Sequence, residues 1–424
     1  MKLLGIDIGT TGICGVLYDT QTKLVISSIT KNNTAFIKSD KSFEKIQDPA
    51  IIMGIVNDIT ASFDNYDAIG FSGQMHGILY LDKNGTAVSP LYIWQDARGG
   101  EISSNGQTYA ERLGCFAGYG LATDLYNEEH GLIPKEAETL CTIGDYAAMT
   151  LCKKRRPLVH ITNAASLGAF DIEDNCFTVD NPRLPDVTAD FTLVGETEKG
   201  IPVAVCIGDN QAGFIGSVPD ENAVLLNIGT GAQISYLTDI PKAHQAEIRP
   251  FDGKRYLAAG CSLCGGRAFA MFEKFCREIA AAAGAEISSF YPMLDAVLSE
   301  EYETDLVADC RFCGTRKEPQ LTGGFQNLTE ANFHLKDFAL AIPDGMVREL
   351  FEMYEGVKNP LIITSGNGIR KNPVIKSIIK SYFGTEPKAP CYEEEAAVGA
   401  AFTAGVAIGH IASIYEAMKQ IPLE

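Results

Sequence analysis

The sequence predicts an α/β protein of two domains built on mixed sheets, and three observations carry that expectation. A glycine-turn hairpin near the start recurs far down the chain, strand-like and helical runs alternate between the two copies, and 424 residues exceed what a single core comfortably fills. The repeat is the strongest of the three. Leu3-Leu4-Gly5-Ile6-Asp7-Ile8-Gly9-Thr10-Thr11-Gly12 is answered by Ala223-Val224-Leu225-Leu226-Asn227-Ile228-Gly229-Thr230-Gly231-Ala232, at an offset of 220 residues from Gly9 to Gly229. Each copy reads as an apolar strand, a tight glycine turn and a second strand, so each opens a domain with a hairpin.

Between the copies, Ala68 to Ser72, Gly77 to Leu81 and Val203 to Ile207 read as strands, while Pro49 to Phe63 and Ile143 to Cys152 read as helices. The Gly, Ser, Pro and acidic residues of Gly216 to Glu221 mark a junction, giving expected domains 1–217 and 218–424. The second half repeats the mix, with a helix near Gly265 to Gly284 and a small-residue helix near the end.

Composition narrows the class. Hydrophobic residues make up 46% and charged residues 21%, the balance of a chain that folds around a packed core. A net charge of −19 opposes nonspecific attraction to nucleic acid or anionic lipid, so neither is expected as a partner. The twelve cysteines are spread through a long sequence, which suits reduced thiols and a cytoplasmic location. Asp7 interrupts what would be the apolar stretch of a leader, so the first residues read as a strand. Ala396 to Tyr415 carries no Asp, Glu, Lys or Arg, yet it is made largely of Ala and Gly, which fits a closely packed buried helix better than a membrane span.

The glycine turns point to chemistry. Glycine lets backbone N–H groups approach an anion, and the hydroxyls of Thr10, Thr11 and Thr230 add donors beside Gly9 and Gly229. One such hairpin often binds nothing. Two copies, one with Asp7 placed to hold a magnesium ion through water, suggest nucleotide phosphates. Phosphoryl transfer further needs a base for the attacking hydroxyl. In Val205-Cys206-Ile207-Gly208-Asp209-Asn210-Gln211-Ala212-Gly213 an acid follows an apolar strand and opens a Gly/Ala helix, so Asp209 is the candidate base, with a helix N-cap as its structural alternative. Asn210 suits sugar hydroxyls.

Ser72-Gly73-Gln74-Met75-His76-Gly77 also follows an apolar strand, which brings Gln74, Met75 and His76 to a sheet end as candidate sugar contacts. Trp94-Gln95-Asp96-Ala97-Arg98 offers an aromatic face and an acid to a polyol, or else a partly buried core Trp with a surface ion pair. Leu361 to Asn372 runs from a buried strand through Gly366-Asn367-Gly368 toward a helix from about Pro373, a turn against which an adenine ring can lie. The pairs Cys261/Cys264 and Cys310/Cys313 have spacing that zinc thiolates use, although the first abuts Gly265-Gly266 in a candidate nucleotide loop. Lys153-Lys154-Arg155-Arg156 reads as a solvated loop.

In their order along the chain, Asp-x-Gly-Thr-Thr, Gly-Gln-Met-His-Gly, Trp-x-Asp-x-Arg, Gly-Asp-Asn-Gln-Ala, the second Gly-Thr turn and the late Gly-rich turn resemble the FGGY carbohydrate kinases. The resemblance implies two ribonuclease-H-like domains of the actin/hexokinase type with Mg-ATP in a cleft between them, and phosphorylation of a terminal sugar hydroxyl. It implies Asp209 as base, Asp7 at magnesium, and Thr10, Thr11, Gly229 and Thr230 at the phosphates. Gly265, Gly366 and Asn367 become implied nucleotide contacts; Met75, His76, Trp94 and Asp96 become implied sugar contacts, beside Gln74 and Asn210 read from the residues themselves. Within the family, Gly118-Tyr119-Gly120-Leu121-Ala122-Thr123, Thr162-Asn163-Ala164-Ala165-Ser166 and Ala259-Gly260-Cys261-Ser262-Leu263 are most similar to sedoheptulokinases and next to xylulokinases. The expected partners are ATP and a small sugar, and the expected assembly a monomer or homodimer. An actin-type nucleotide switch shares the Gly-Thr turns but has no use for Gln74-Met75-His76 or Trp94-Gln95-Asp96.

Overall fold

The computed structural model describes residues 1–298, 302–366, 369 and 373–424. The chain forms two compact units. The first comprises Met1–Pro219, Arg249–Tyr256 and Tyr392–Pro422; the second comprises Asp220–Ile248, Leu257–Cys391 and Leu423–Glu424.

In unit 1 the chain runs β1 (Lys2–Ile8), β2 (Gly12–Asp19), β3 (Leu24–Asn32), α1 (Pro49–Ala61), β4 (Ala68–Gly73), α2 (Ile143–Leu151), α3 (Ile161–Ser166), β5 (Leu193–Glu196), β6 (Pro202–Ala204), β7 (Ile207–Gly208) and α4 (Asp209–Ile215), with smaller elements between. The main sheet has the order β5-β6-β4-β1-β2-β3, and β7 also pairs with β4. Leu3, Leu4, Ile6 and Ile8 are fully buried, as a strand with apolar residues on both faces requires of its setting. Asp48 caps α1 by accepting the Ala50 N–H, with Pro49 in the first turn, and Ile52, Val56 and Ile59 carry the buried stripe.

The small-residue stretch near the end forms the helix Glu395–Ala407, buried from Ala397 to Gly405. It stops well short of Tyr415: Gly409 takes a φ of 70°, and a second helix, Ile414–Met418, starts at the Ser413 cap. Its place also corrects the sequence partition, which left everything after residue 217 to the second domain. A Cβ on Gly5 would lie 1.8 Å from the Ala397 carbonyl oxygen, and one on Gly70 would lie 1.8 Å from that of Ala400. The helix backbone therefore lies directly on β1 and β4 of unit 1, an approach that only small residues on both sides permit.

Unit 2 contains β8 (Val224–Ile228), β9 (Ala232–Thr238), β10 (Glu247–Pro250), β11 (Tyr256–Ser262), α5 (Gly265–Ala282), α6 (Leu335–Glu352), β12 (Ile362–Ser365) and α7 (Pro373–Phe383), the β10–β11 connection being counted with unit 1. Its sheet has the order β10-β11-β9-β8-β12. Val224, Leu226, Ile228 and Ile234 pack with Ile342, Met346, Val347 and Leu350 of α6 in one core.

The sequence repeat is a repeat of topology. β1 pairs antiparallel with β2 and parallel with β4; β8 pairs antiparallel with β9 and parallel with β12. Each hairpin is thus flanked by a parallel strand that arrives later in the chain, the mixed-sheet arrangement that the duplicated motif predicts. Among the described residues no helix is long and apolar enough to cross a membrane.

Candidate active site

Three parallel strands of unit 1 end in register. Asp7 pairs with Ser72 and Ile8 with Gly73, while Ile207 pairs with Ser72 and Gly208 with Gly73. The turn Gly9-Thr10-Thr11, the segment Gln74-Met75-His76 and the pair Asp209-Asn210 therefore leave the sheet side by side, at the carboxyl ends of parallel strands where α/β sheets place their ligand sites. Residues separated by two hundred positions in sequence become one cluster.

Hydrogen bonds tie the cluster together. The Thr10 hydroxyl donates to Gln74 Oε1 at 3.3 Å, Gln74 Nε2 donates to Gln47 Oε1 at 2.9 Å, and Gln47 Nε2 donates back to the Thr10 carbonyl at 2.9 Å. Gln47 is fully buried and Gln74 nearly so. Gln47 carries no signal in the sequence, standing alone before a helix; only the closed ring of contacts reveals it. Asn33 belongs to the same support: its side chain donates to the Gly9 carbonyl and its N–H to that of Thr11. Thr11 itself is exposed.

Trp94 and Asp96 occupy settings opposite to those of the structural alternative. Trp94 is 45% exposed, its indole N–H donating to the Thr10 hydroxyl at 2.9 Å. The ion pair is the buried partner: Asp96 accepts from Arg98 Nε at 2.7 Å and Nη2 at 3.0 Å, and from the N–H groups of Arg98 and Lys45. With its acceptor positions filled in this way, Asp96 acts on the neighbourhood by fixing the Trp94 loop. Arg98 also bonds Asn127 and Glu44 and lies over the Tyr92 ring.

His76 has a φ of 73°, a left-handed conformation that a non-glycine residue holds only under constraint. The constraint is visible: its N–H donates to the Ser166 hydroxyl, its Nδ1 lies 2.8 Å from the Ser166 carbonyl, and its ring stacks on Tyr119 at 4.4 Å. Facing a carbonyl, Nδ1 carries the proton in the neutral ring, which makes Nε2 the acceptor. Met75 is buried, and a Cβ on Gly208 would lie 2.6 Å from its sulfur, so Met75 packs on the residue before Asp209.

Gly208, not Asp209, stands at the N-cap of α4; Asp209 is the first helical residue. The N-cap alternative does not describe it. The Thr162 hydroxyl accepts the Gly208 N–H at 3.1 Å and so fixes the backbone from which Asp209 projects. Burial and the nearby Asp7 charge push the Asp209 carboxyl up to about 7, with Arg249 and the Asn210 N–H pulling the other way. The side chain keeps a partly open surface although protein surrounds it. Asp7 is also raised by burial, against the Ser72 hydroxyl that donates to its Oδ1 at 2.7 Å. Two buried carboxyl groups, the charge of Asp7 raising Asp209, beside one arginine form a charge excess that a divalent cation fits. Among the described residues no three His, Cys, Asp or Glu side chains converge as a metal cluster.

In unit 2 the glycine residues meet at one end of the sheet. Gly229 and Thr230 are exposed at the β8–β9 turn. Gly266 and Arg267, in the first turn of α5, donate their N–H groups to the carbonyls of Gly229 and Thr230. A Cβ on Gly265 would lie 2.4 Å from the Gly231 carbonyl carbon, and Gly366, at a φ of 89°, would put one 2.9 Å from the Ile228 carbonyl oxygen. Asn227 donates to the Ser365 hydroxyl across the same strand ends. Gly229, Thr230, Gly265 and Gly366 are therefore neighbours, and Asn367 lies outside the described residues.

The comparisons with known proteins agree with these motifs. Residues 2–179 match the N-terminal domain of the FGGY family of carbohydrate kinases. The sedoheptulokinase of Mus musculus is 26% identical, over 94% of this chain and 96% of its own. The xylulose kinase of Lactococcus lactis is 22% identical, over 98% of this chain and 90% of its own. Among solved structures, the ligand-bound xylulose kinase from Lactobacillus acidophilus shares the fold with a TM-score of 0.82 at 20% identity, covering 100% of this chain and 92% of that one. The fold and the matched N-terminal domain are those of sugar kinases, phosphotransferases with an alcohol group as acceptor. Residues 2–179 carry the N-terminal domain of the FGGY carbohydrate kinases.

Proposed function

We propose that the chain transfers the γ-phosphoryl group of ATP to a terminal hydroxyl of a ketose, sedoheptulose foremost, giving sedoheptulose 7-phosphate. The observation that carries this reading is Asp209: an acid held by Thr162 and Gly208 at the end of a parallel strand, partly open, and raised to about 7 beside a second carboxylate. Such a group accepts a proton near neutral pH. Gln74, His76, Trp94 and Asn210 surround the same strand ends and offer the donors, acceptors and aromatic face that a polyol needs.

In this reading Asp209 takes the proton of the hydroxyl as its oxygen attacks phosphorus. Thr10, Thr11, Gly229 and Thr230 are proposed phosphate contacts, and Gly265, Gly366 and Asn367 proposed nucleotide contacts. Asp7 would hold magnesium through water, with Asp209 next to it. When bound, that ion supplies positive charge to the phosphate oxygens. The preference for sedoheptulose is supported by the similarity to mouse sedoheptulokinase across nearly both whole chains. D-Xylulose is the second reading, favoured by the near-complete coverage of the bacterial xylulose kinase.

ADP release measured with sedoheptulose, D-xylulose, D-ribulose, L-rhamnulose and glycerol separates these readings. Sedoheptulose should give the highest kcat/KM. A higher value with D-xylulose transfers the assignment to that sugar, and nucleotide binding with no turnover on any polyol would instead support a nucleotide switch.

A further inference from the structure

The two Cys-x-x-Cys pairs play no part in the proposed reaction, and unit 2 sorts them in a way their spacing does not suggest. The Cys264 and Cys313 thiols hydrogen-bond to one another, Cys264 in the unit 2 core and Cys313 packed against that core. Each has a different sequence mate, and the mates are otherwise engaged. Cys261 donates to Gln233 Oε1 at 3.6 Å, and Cys310 donates to the Ile342 carbonyl at 3.3 Å. All four are reduced.

The pair differs in access and in neighbours. Cys264 is fully buried, whereas Cys313 is half-buried on the tight turn closed by the Gly314 N–H to the Arg311 carbonyl. Arg267 Nη1 donates to Cys313 Sγ at 3.5 Å. The half-buried sulfur is the one an external disulfide can reach, and the buried one is placed to resolve it.

We propose that Cys313 and Cys264 are a reversible redox pair, oxidised to an intramolecular disulfide by a low-molecular-weight disulfide of the glutathione type. The Cys313 thiolate attacks one sulfur of the oxidant and expels a thiolate, leaving a mixed disulfide. Cys264 then loses its proton, attacks the Cys313 sulfur and expels the second thiolate. The two protein thiols lose two electrons and two protons, and the oxidant becomes two thiols.

Cys264 immediately precedes α5, whose first N–H groups bond to the Gly229 and Thr230 carbonyls. The fit there has no slack, since Gly265 already touches Gly231. Drawing the two sulfurs to a bond of about 2.05 Å pulls the α5 start toward the Cys313 turn and displaces the Gly-Thr turn with it. That consequence, weaker nucleotide binding, rests on reading this turn as a phosphate contact; the disulfide does not.

The test equilibrates the full chain with excess oxidised glutathione, blocks remaining thiols, and digests with trypsin without reduction. Cleavage leaves Cys264 on Tyr256–Arg267 and Cys313 on Phe312–Arg316, apart from Cys310. The expected product is these two peptides joined, also in C261S, and absent in C264S and C313S. Joining through Cys261, a Cys310–Cys313 link, or no cross-link overturns the proposal. Calorimetry with ADP on the same samples should show affinity falling roughly tenfold on oxidation in wild type and not in C313S. Equal affinity before and after oxidation of cross-linked protein overturns the regulatory half alone, and a reduced protein that binds no ADP overturns the nucleotide-site reading while leaving the disulfide standing.

Discussion

The Trp94 indole N–H donates to the Thr10 hydroxyl at 2.9 Å, joining the aromatic loop to the first glycine turn. Because Trp94 is 45% exposed, this bond contributes to orientation more than to folding. Trp94→Phe keeps an aromatic face and removes the donor. It should lower kcat/KM by roughly fivefold, the effect of one net hydrogen bond of about 1 kcal/mol, and leave Tm within about 2 °C of wild type. Steady-state kinetics and a thermal melt check both halves; a large fall in Tm with normal kinetics would make Trp94 a packing residue.

Asp209→Asn removes the proposed base and keeps its shape. Turnover should fall by about a thousandfold or more, with sugar and nucleotide affinity little changed by calorimetry. The wild-type pH profile follows from the shift. The deprotonated carboxylate is the active form, so kcat/KM should rise with pH below the raised value of about 7 and level off above it. A flat profile from pH 5.5 to 8 would remove Asp209 from this role.

Much of the fold was legible because it is written twice. The Gly9 and Gly229 turns share flanking apolar strands, and that repetition outweighs any local propensity. The candidate residues of unit 1 were legible for a related reason: each follows an apolar run, and parallel strands bring such positions to one sheet end. What could not be read was support that arrives from elsewhere. Gln47 is held by contacts to Gln74 and Thr10, and Arg249 acts on Asp209 from forty positions away. The Trp94 segment carried both possible ingredients, yet sequence could not say that the indole is exposed and the ion pair buried. The partition at 217 failed for the Glu395–Ala407 helix because its partners, Gly5 and Gly70, lie more than three hundred residues earlier.

That packing has a direct consequence for stability. Gly70→Ala would place a Cβ 1.8 Å from the Ala400 carbonyl oxygen, backbone that no rotamer change can clear. The cost should be about 3 kcal/mol or more, read as a lower midpoint in urea. Gly54→Ala is the matched control. Gly54 is exposed within α1 with nothing inside 4 Å of the new Cβ, so it should stabilise by about 0.5–1 kcal/mol. Equal effects of opposite expectation, with Gly70→Ala as stable as wild type, would mean that the late helix does not lie on β4.

Asp145 is a buried acid outside the proposed chemistry, and its stability effect has a definite sign. It is 2% exposed, receives the Thr142 hydroxyl at 2.7 Å and the Asn163 amide at 3.3 Å, and burial raises it from 3.8 to about 7. Well below pH 3.8 the carboxyl is protonated whether folded or unfolded, and burial costs nothing extra. As pH rises toward 7 the unfolded chain releases its proton while the folded chain retains it, so stability falls; above 7 the loss is complete and constant. A shift of that size corresponds to as much as about 4 kcal/mol. Asp145→Asn is neutral in both states and keeps an acceptor for the Asn163 amide, with the Thr142 hydroxyl turning to accept from its NH2, so it should gain on wild type as pH rises from 4.5 to 8. Urea midpoints at the two pH values measure this as a difference between the variants, in which the parallel effect of Asp209 cancels. A difference that does not change with pH would show that Asp145 ionises normally in the folded protein.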